Sequence, residues 1–381
     1  MVSPDTPLES LNLNWSERDL PERERTKHVH RLHPYLGKFI PQLVEIFLRK
    51  YFRPGQVIYD PFCGSGTTLV EATTFGAHAI GTDIAAFNVL LSRVKTAKYD
   101  IHQVQFEVLD ILEKVVTWAQ GGLFRSQISL PPNWDQATEY LQLWYAPQAL
   151  HELLLYRALI PQYQHQDLLK IILSRAARSA RLTTHFDLDF PKQPQRTPYY
   201  CYKHKRICSP VREALKFLRR YSLDTIRRIR EYMRLRQDVH VRVLHDDARV
   251  VSLPMLVDGI ITSPPYVGLI DYHDQHRYAY ELLGLEWRKE LEIGPASRGS
   301  SMSAKEQYKQ DMIKVFENTS SFLRSGAHII VIVRDKERLY PEIAKKLNFE
   351  MVGHLQREVN RRTGRRATAF YEDIYIWRYH A

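Results

Sequence analysis

Two stretches, far apart in sequence, carry the residues best suited to chemistry. One is Asp258-Gly-Ile-Ile-Thr-Ser-Pro-Pro-Tyr266. Gly259-Ile260-Ile261 reads as the end of a buried strand, and Pro264 and Pro265 stop it because neither can donate to a sheet ladder. Two adjacent prolines fix the backbone just past the strand tip. The Ser263 hydroxyl, the neighbouring carbonyls and the Tyr266 ring then stand rigidly at a sheet edge, where open α/β sheets bind their ligands. Such a cluster suits a planar heterocycle with an exocyclic amine. The ring stacks on Tyr266, and the amine donates to Ser263 Oγ and a carbonyl near Pro264. A strand that merely ends in a Pro-Pro turn with a packed tyrosine would look the same.

The other stretch weighs against that plainer reading. Gln56-Val-Ile-Tyr-Asp60 is strand-like and runs into Pro61-Phe-Cys-Gly-Ser-Gly-Thr-Thr68, then a helix from Leu69 to Phe75. Gly64 and Gly66 permit a tight turn and admit a ligand close to the main chain. The helix that follows offers free N–H groups and its positive end. Ala79-Ile-Gly-Thr-Asp83 is a second strand ending in an acid placed for ribose hydroxyls. Strand, Gly-rich turn, helix and acid-tipped strand together form a nucleoside-binding half. A phosphate loop is excluded because no Gly-Lys-Ser/Thr follows, and a full dinucleotide fingerprint because the third glycine is missing.

The elements that must hold these stretches can be traced along the chain. Strands are expected at 57–60, 79–83, 241–245, 258–262, 327–333, 350–355 and 374–379. Val241-Arg-Val-Leu-His-Asp-Asp-Ala248 is another strand ending in acids. Leu43, Ile46 and Phe47 share one face of a helix that starts at Pro41. Residues 1–26 read as a flexible or loosely docked arm. Residues 27–97 and 238–381 form one α/β domain. Between them, 98–237 is helix-rich, with apolar spacing in Val104 to Trp118, Leu141 to Leu159 and Leu168 to Leu182.

Composition narrows the partners. A net charge of +11 favours a polyanion, nucleic acid first. The second half of the insertion is dense in Arg and Lys, including Arg175, Arg178, Arg181 and Arg228, and it contains Thr197-Pro-Tyr-Tyr-Cys-Tyr-Lys-His-Lys-Arg206, aromatic and basic together. That mixture fits a nucleic-acid-facing module. Only three cysteines occur, Cys63, Cys201 and Cys208, which argues against a disulfide framework. Cys201, His204 and Cys208 match no standard zinc spacing, and no fourth ligand is evident beside them, so no metal is expected. With no apolar run of membrane-spanning length and no signal-peptide core, the expected location is the cytoplasm.

Asp60-Pro-Phe-Cys-Gly-Ser-Gly-Thr-Thr68 and Thr262-Ser-Pro-Pro-Tyr266 together resemble the S-adenosylmethionine-dependent amino-group DNA methyltransferases, as cofactor and catalytic motifs. His33-Pro-Tyr-Leu-Gly-Lys-Phe-Ile-Pro41 is similar to the segment that closes over the methionine part of the cofactor. The resemblance spans roughly 28–97 and 238–381. It implies a Rossmann-like α/β fold: a seven-stranded methyltransferase sheet with a late antiparallel strand, here with a basic helical insertion between strands two and three. It implies S-adenosylmethionine as cofactor, bound by His33, Tyr35, Lys38, Phe39, Asp60, Phe62, Gly64, Gly66, Thr67 and Thr68, with Asp83 on the ribose and Asp247 or Asp246 on the adenine amine. Ser263, Pro264, Pro265 and Tyr266 would form the target-base site.

Ser rather than Asp or Asn before Pro-Pro-Tyr is usual for cytosine-N4 enzymes, so cytosine N4 is the expected target of a flipped base. Adenine N6, RNA and a binding-only protein are the alternatives, in that order. Double-stranded DNA is the expected partner. Arg196, Tyr199, Lys203, Lys205 and Arg206 in the insertion, and Arg361, Arg362, Arg365 and Arg366 in a late loop, are the expected contacts. The cofactor motif precedes the catalytic one, the reverse of many cytosine-N4 enzymes, and the insertion lies between the second and third strands; its basicity nonetheless makes 98–237 the first candidate for a DNA-recognition module. Whether a restriction endonuclease accompanies the chain is left open.

Overall fold

The computed structural model describes residues 2–16, 18–119, 129–359 and 370–381. Seven strands form one sheet: β1 (Val57–Asp60), β2 (His78–Asp83), β5 (Val241–His245), β6 (Val257–Thr262), β7 (Leu323–Val333), β8 (Glu350–Val359) and β9 (Phe370–Arg378). Two short strands, β3 (Tyr199–Cys201) and β4 (Arg206–Cys208), pair separately. The main sheet runs β5-β2-β1-β6-β7-β9-β8. Its first five members are parallel, and β9 lies antiparallel between β7 and β8. This is the Rossmann-like methyltransferase sheet, with all seven expected strands present.

The register explains why the central strands read as continuous apolar runs. Ile260, Ile329, Ile330 and Val331 are fully buried because helices cover both faces of the parallel part. Gly259 has a packing reason to be glycine. A Cβ there would lie 2.4 Å from the Phe52 ring and 2.6 Å from the His328 carbonyl of the next strand.

Strand order reverses at β1. The connection from β1 leads outward to β2 and β5, whereas β6 and β7 lie on the other side. The carboxyl ends of β1 and β6 therefore flank the switch point, where an open sheet leaves a crevice.

The insertion is integral to the fold. Its helices Ile101–Ala119, Pro147–Leu159, Gln166–Ala180 and Leu215–Met233 share one buried apolar cluster with Val29, Leu32, Phe87, Leu91, Tyr278 and Leu282. The expected helix from Leu141 to Leu159 is in fact two, Glu139–Trp144 and Pro147–Leu159. Ala146, before Pro147, is extended between them because the residue before a proline avoids the helical region.

The N-terminal arm, expected to be flexible or loosely docked, is docked. Leu13 is buried, Asn14 Oδ1 accepts from the Glu358 amide at 2.7 Å, and Leu8 packs on Gly353. The arm covers the exposed edge strand β8, a common way to protect a sheet edge. Among the described residues no helix is long and apolar enough to cross a membrane.

Candidate active site

β1 and β6 are hydrogen-bonded neighbours, so the two motifs meet at their tips. Thr262 Oγ1, from the last residue of β6, donates to Oδ1 of Asp60, the last of β1, at 2.7 Å. The Phe62 amide donates to the same oxygen at 3.1 Å. Beside this junction opens a cleft lined from both motifs, at the edge where open α/β sheets bind their ligands.

The Gly-rich turn forms its floor. Gly64 and Gly66 have φ of +49° and +77°, in the left-handed region that favours glycine. A Cβ on Gly66 would come within 2.8 Å of Ser92 Oγ. The turn is braced from the helix Ala86–Thr96: Ser92 donates to the Gly64 carbonyl at 2.9 Å, and buried Lys95 donates to the Ser65 carbonyl at 2.8 Å. Neither brace is visible in the motif, though both sit about one helical turn apart on a single face.

Most residues expected at a cofactor lie in the cleft wall: Tyr35, Lys38, Phe39, Phe62, Gly64, Thr67, Asp83, Asp246 and Asp247, with Ser263 and Pro265 from the catalytic turn. Others lie behind it. Asp60 is buried beneath the cleft, and Gly66 is the bend under it rather than part of the wall. Thr68 donates to the Ile261 carbonyl at 3.0 Å, which ties the turn to β6. His33 is fully buried. Its Nε2 lies 3.2 Å from both Ser174 Oγ and Tyr278 Oη, so it joins the closing segment to the insertion.

The acids differ in what they have left to offer. Asp83 accepts from the Gly64 amide at 2.8 Å, the Ala85 amide at 2.9 Å and Asn88 Nδ2 at 3.0 Å. A carboxylate has about four acceptor positions, so room remains for a ribose hydroxyl. Asp247 is taken up by Arg249, with Nη2 at 2.7 Å and Nε at 3.0 Å. Among the described residues, Asp246 accepts only the Asp247 amide, at 2.8 Å. Burial raises the Asp60 carboxyl to about 6, against the opposing bond from Thr262. Burial likewise raises Asp83 and pushes the Cys63 thiol well up, so Cys63 is an inert packed residue. Lys38 is held down to about 8 by burial and the nearby Arg31 charge.

Among the described residues, three buried acceptors at or under the cleft have no hydrogen-bond partner: Asp60 Oδ2, Asn88 Oδ1 and Glu292 Oε2. Orphaned buried acceptors are costly unless a ligand supplies donors. S-adenosylmethionine carries an ammonium, two ribose hydroxyls and an adenine amine, and this donor-rich group fits the residues present. Tyr35 stacks on Tyr272 with ring centroids 6.1 Å apart, giving the cleft an aromatic wall.

Tyr266 stands on the far side of the turn, in a second cleft with Lys305, Tyr308 and Asp335. Its hydroxyl donates to Glu372 Oε1 at 2.8 Å, and Glu372 Oε2 accepts from Arg357 Nε at 2.7 Å. Burial, reinforced by the Glu372 charge, pushes the Tyr266 phenol well up, so it stays neutral. Tyr308 Oη donates to the Pro265 carbonyl at 2.9 Å and fixes the turn from the helix Met302–Ser320. Tyr272, six residues after the Ser-Pro-Pro-Tyr turn, is where a pocket-shaping residue could be read from sequence, whereas Glu372, Tyr308, Asn88 and Glu292 carry no local motif and were not anticipated.

The expected nucleic-acid contacts are divided. Arg196, Lys203, Lys205 and Arg206 are exposed, the last three on the β3–β4 hairpin. Tyr199 is half-buried with its hydroxyl 2.9 Å from His185 Nδ1, whereas Tyr200 and Tyr202 face outward. Several arginines that read as a basic face are internal instead. Arg175 and Arg228 both bond Asp224, at 2.7 and 2.8 Å, Arg178 pairs with Asp189, and Arg181 is buried. Arg361, Arg362, Arg365 and Arg366 lie outside the described residues.

Residues 9–92 match a family model described as a DNA methylase. The chain is 38% identical over 430 aligned positions to the Type II methyltransferase M.MjaII of Methanocaldococcus jannaschii, covering 93% of this chain and 81% of that one. It is 25% identical to M.MvaI of Kocuria varians over 62% of its own length and 53% of the relative's, and 24% identical to M.BsoBI of Geobacillus stearothermophilus over 76% and 59%. The chain thus spans little more than half of these two relatives. Among solved structures, the rRNA methyltransferase aviRa of Streptomyces viridochromogenes aligns with a TM-score of 0.37 at 12% identity, covering 91% of this chain and 88% of that one. The chain belongs to the S-adenosylmethionine-dependent amino-group DNA methyltransferases.

Proposed function

We propose that this enzyme methylates the exocyclic N4 amine of a cytosine flipped out of duplex DNA. The carrying observation is Ser263, a small hydroxyl residue fixed at the tip of β6 in the wall of the cofactor cleft. S-adenosylmethionine supplies an electrophilic methyl group when bound. Asp83 and Asn88 would hold its ribose, Asp246 its adenine amine, and Gly64 the main-chain approach. Asp246 is favoured over Asp247 because Arg249 already occupies the latter.

The target amine is a poor nucleophile because its lone pair is delocalised into the ring. Ser263 Oγ and the Pro264 carbonyl accept its two hydrogens and favour a pyramidal nitrogen with an available lone pair. That is catalysis by orientation and preorganised dipoles. Tyr266 stacks on the flipped base and recovers about 1–3 kcal/mol of lost stacking. Glu372 positions the tyrosine through its hydroxyl, and Arg357 positions Glu372. The exposed hairpin bases Lys203, Lys205 and Arg206, together with Arg196, contact phosphates. The late-loop arginines Arg361, Arg362, Arg365 and Arg366 are proposed for the same role. The relatives' description as Type II methyltransferases supports a site-specific mark accompanied by a matching endonuclease.

The test is nucleoside mass spectrometry after incubation with mixed-sequence duplex DNA and methyl-labelled S-adenosylmethionine. Labelled N4-methylcytosine, lost in Ser263→Ala, is expected. Labelled N6-methyladenine would overturn the reading from Ser263. Label found only in RNA would overturn the DNA substrate.

A further inference from the structure

The insertion carries a second cluster of reactive side chains for which methyl transfer has no use. His185, Cys201, His204 and Cys208 converge so that one ligand atom from each lies within 4.8 Å of the others. Cys201 ends β3, His204 lies in the turn, and Cys208 ends β4. His185 comes from the segment after the helix Gln166–Ala180, well before the hairpin in sequence.

We propose that these four residues form a structural zinc site that closes the β3–β4 hairpin onto the preceding loop. The geometry carries it. Zinc bound at about 2.3 Å to sulfur and about 2.0–2.1 Å to nitrogen, at tetrahedral angles, sets sulfur and nitrogen about 3.6 Å apart. Cys201 Sγ lies 3.6 Å from His185 Nδ1 and 3.6 Å from His204 Nδ1, and Cys208 Sγ lies 3.5 Å from His204 Nδ1. Two sulfurs and two imidazoles are the ligand set that selects zinc.

Hydrogen bonding alone does not account for the cluster. His204 Nδ1 faces both thiols, yet a ring nitrogen bears a single lone pair or a single hydrogen. Cys201 faces two ring nitrogens in turn, and one of those, His185 Nδ1, already has the Tyr199 hydroxyl at 2.9 Å. A central cation gives every one of these atoms a partner, and the Tyr199 hydroxyl turns aside. Both thiols lose their protons to solvent on binding. Two thiolates and two neutral imidazoles then balance the dication.

The hairpin supplies an independent reason. Its strands have three residues each, and Tyr200, Tyr202 and Ile207 are 51%, 76% and 65% exposed. A two-stranded ribbon this short has no core of its own and needs a staple. The turn that carries His204 is tight, with its amide bonded to the Cys201 carbonyl at 3.1 Å and Lys205 at φ +51°. By contrast, the buried group His28, His30 and Glu71 already has the Lys27 ammonium 2.8 Å from Glu71 and carries no such proposal.

The test is metal analysis of the purified full-length chain by plasma mass spectrometry, paired with cobalt substitution. One zinc per chain is expected. After stripping and reduction, Co²⁺ should give thiolate-to-metal charge transfer and tetrahedral ligand-field absorption. Cys201→Ser, Cys208→Ser and the exposed His204→Ala should each lose the zinc, while Cys63→Ser retains it. Calorimetric binding of S-adenosylmethionine to each variant reports that the catalytic domain is folded. A reduced wild-type chain that binds neither zinc nor cobalt overturns the proposal, as does zinc retained in the double Cys201→Ser/Cys208→Ser variant.

Discussion

At the tips of β1 and β6, turns of fixed backbone carry the proposed catalytic and cofactor-binding groups: Pro264 and Pro265 after one strand, Gly64 and Gly66 after the other. Each turn is determined within a few residues, and the sheet only has to set the two side by side. The β3–β4 hairpin is built differently. Its strands are short and its apolar side chains face outward. Its four metal-binding groups come from three backbone segments: a strand pair, a turn, and the loop bearing His185. A site made from local turns is pre-organised by covalent geometry, whereas one gathered from several segments needs something at its centre to hold it.

The strongest way to break this contrast is to compare Ser263→Ala with His204→Ala. Loss of one preorganised hydrogen-bond partner at a reacting group costs about 10²–10³-fold in kcat. Ser263→Ala should lose that much with S-adenosylmethionine affinity unchanged. His204→Ala should keep kcat at saturating DNA. Equal kcat losses in single-turnover assays would show that the two regions form one catalytic unit.

The next effect concerns stability. Glu372→Ala leaves the Arg357 guanidinium, 5% exposed, without its partner. Breaking a buried ion pair from one side costs about 3–5 kcal/mol. Urea denaturation should show most of that loss in Glu372→Ala and less in Glu372→Gln, which keeps an acceptor for Tyr266. Unchanged stability in the alanine variant would remove Glu372 from the support of the catalytic turn.

Acid should destabilise the fold through its buried histidines. Burial first, then neighbouring charges, hold His28 and His276 down to about 3 from 6.5. Between those values the unfolded chain binds protons that the folded chain does not, so stability falls as pH drops below 6.5. Each histidine costs about 2 kcal/mol by pH ~5. Asp60, raised to about 6 from 3.8, acts with the opposite sign and offsets part of this. Denaturation midpoints that stay flat from pH ~7 to ~5 would contradict the burial argument.

The smallest expected effect is at the hairpin tip. Replacing Lys203, Lys205 and Arg206 together by Ala should make the slope of log affinity for DNA against log salt shallower by about 0.9 for each phosphate that those side chains neutralise. An unchanged slope would move the DNA-binding face elsewhere.

Much of the fold could be read from the chain because the buried strands carry apolar runs with clear stops. Gly259-Ile260-Ile261 before Pro264 is one case, and Ala327 to Val333 is another. The arm packs more firmly than its mostly polar composition suggests, because Leu13 sits in the core beside Leu8, Leu11 and Trp15 and Asn14 bonds the Glu358 amide. The basic insertion was read too simply. Composition counts Arg175 and Arg228 among surface cations, whereas Asp224 holds both inside.

The sequence alone determined the seven strands, the Gly-rich turn and the Ser-Pro-Pro-Tyr turn, because glycine and proline act on their own backbone and apolar periodicity acts on its own element. Tertiary structure decided which distant groups meet. It set Thr262 on Asp60, Glu372 on Tyr266, and His185 beside Cys201, His204 and Cys208. No local rule predicts those meetings, because they follow from the packing of whole elements.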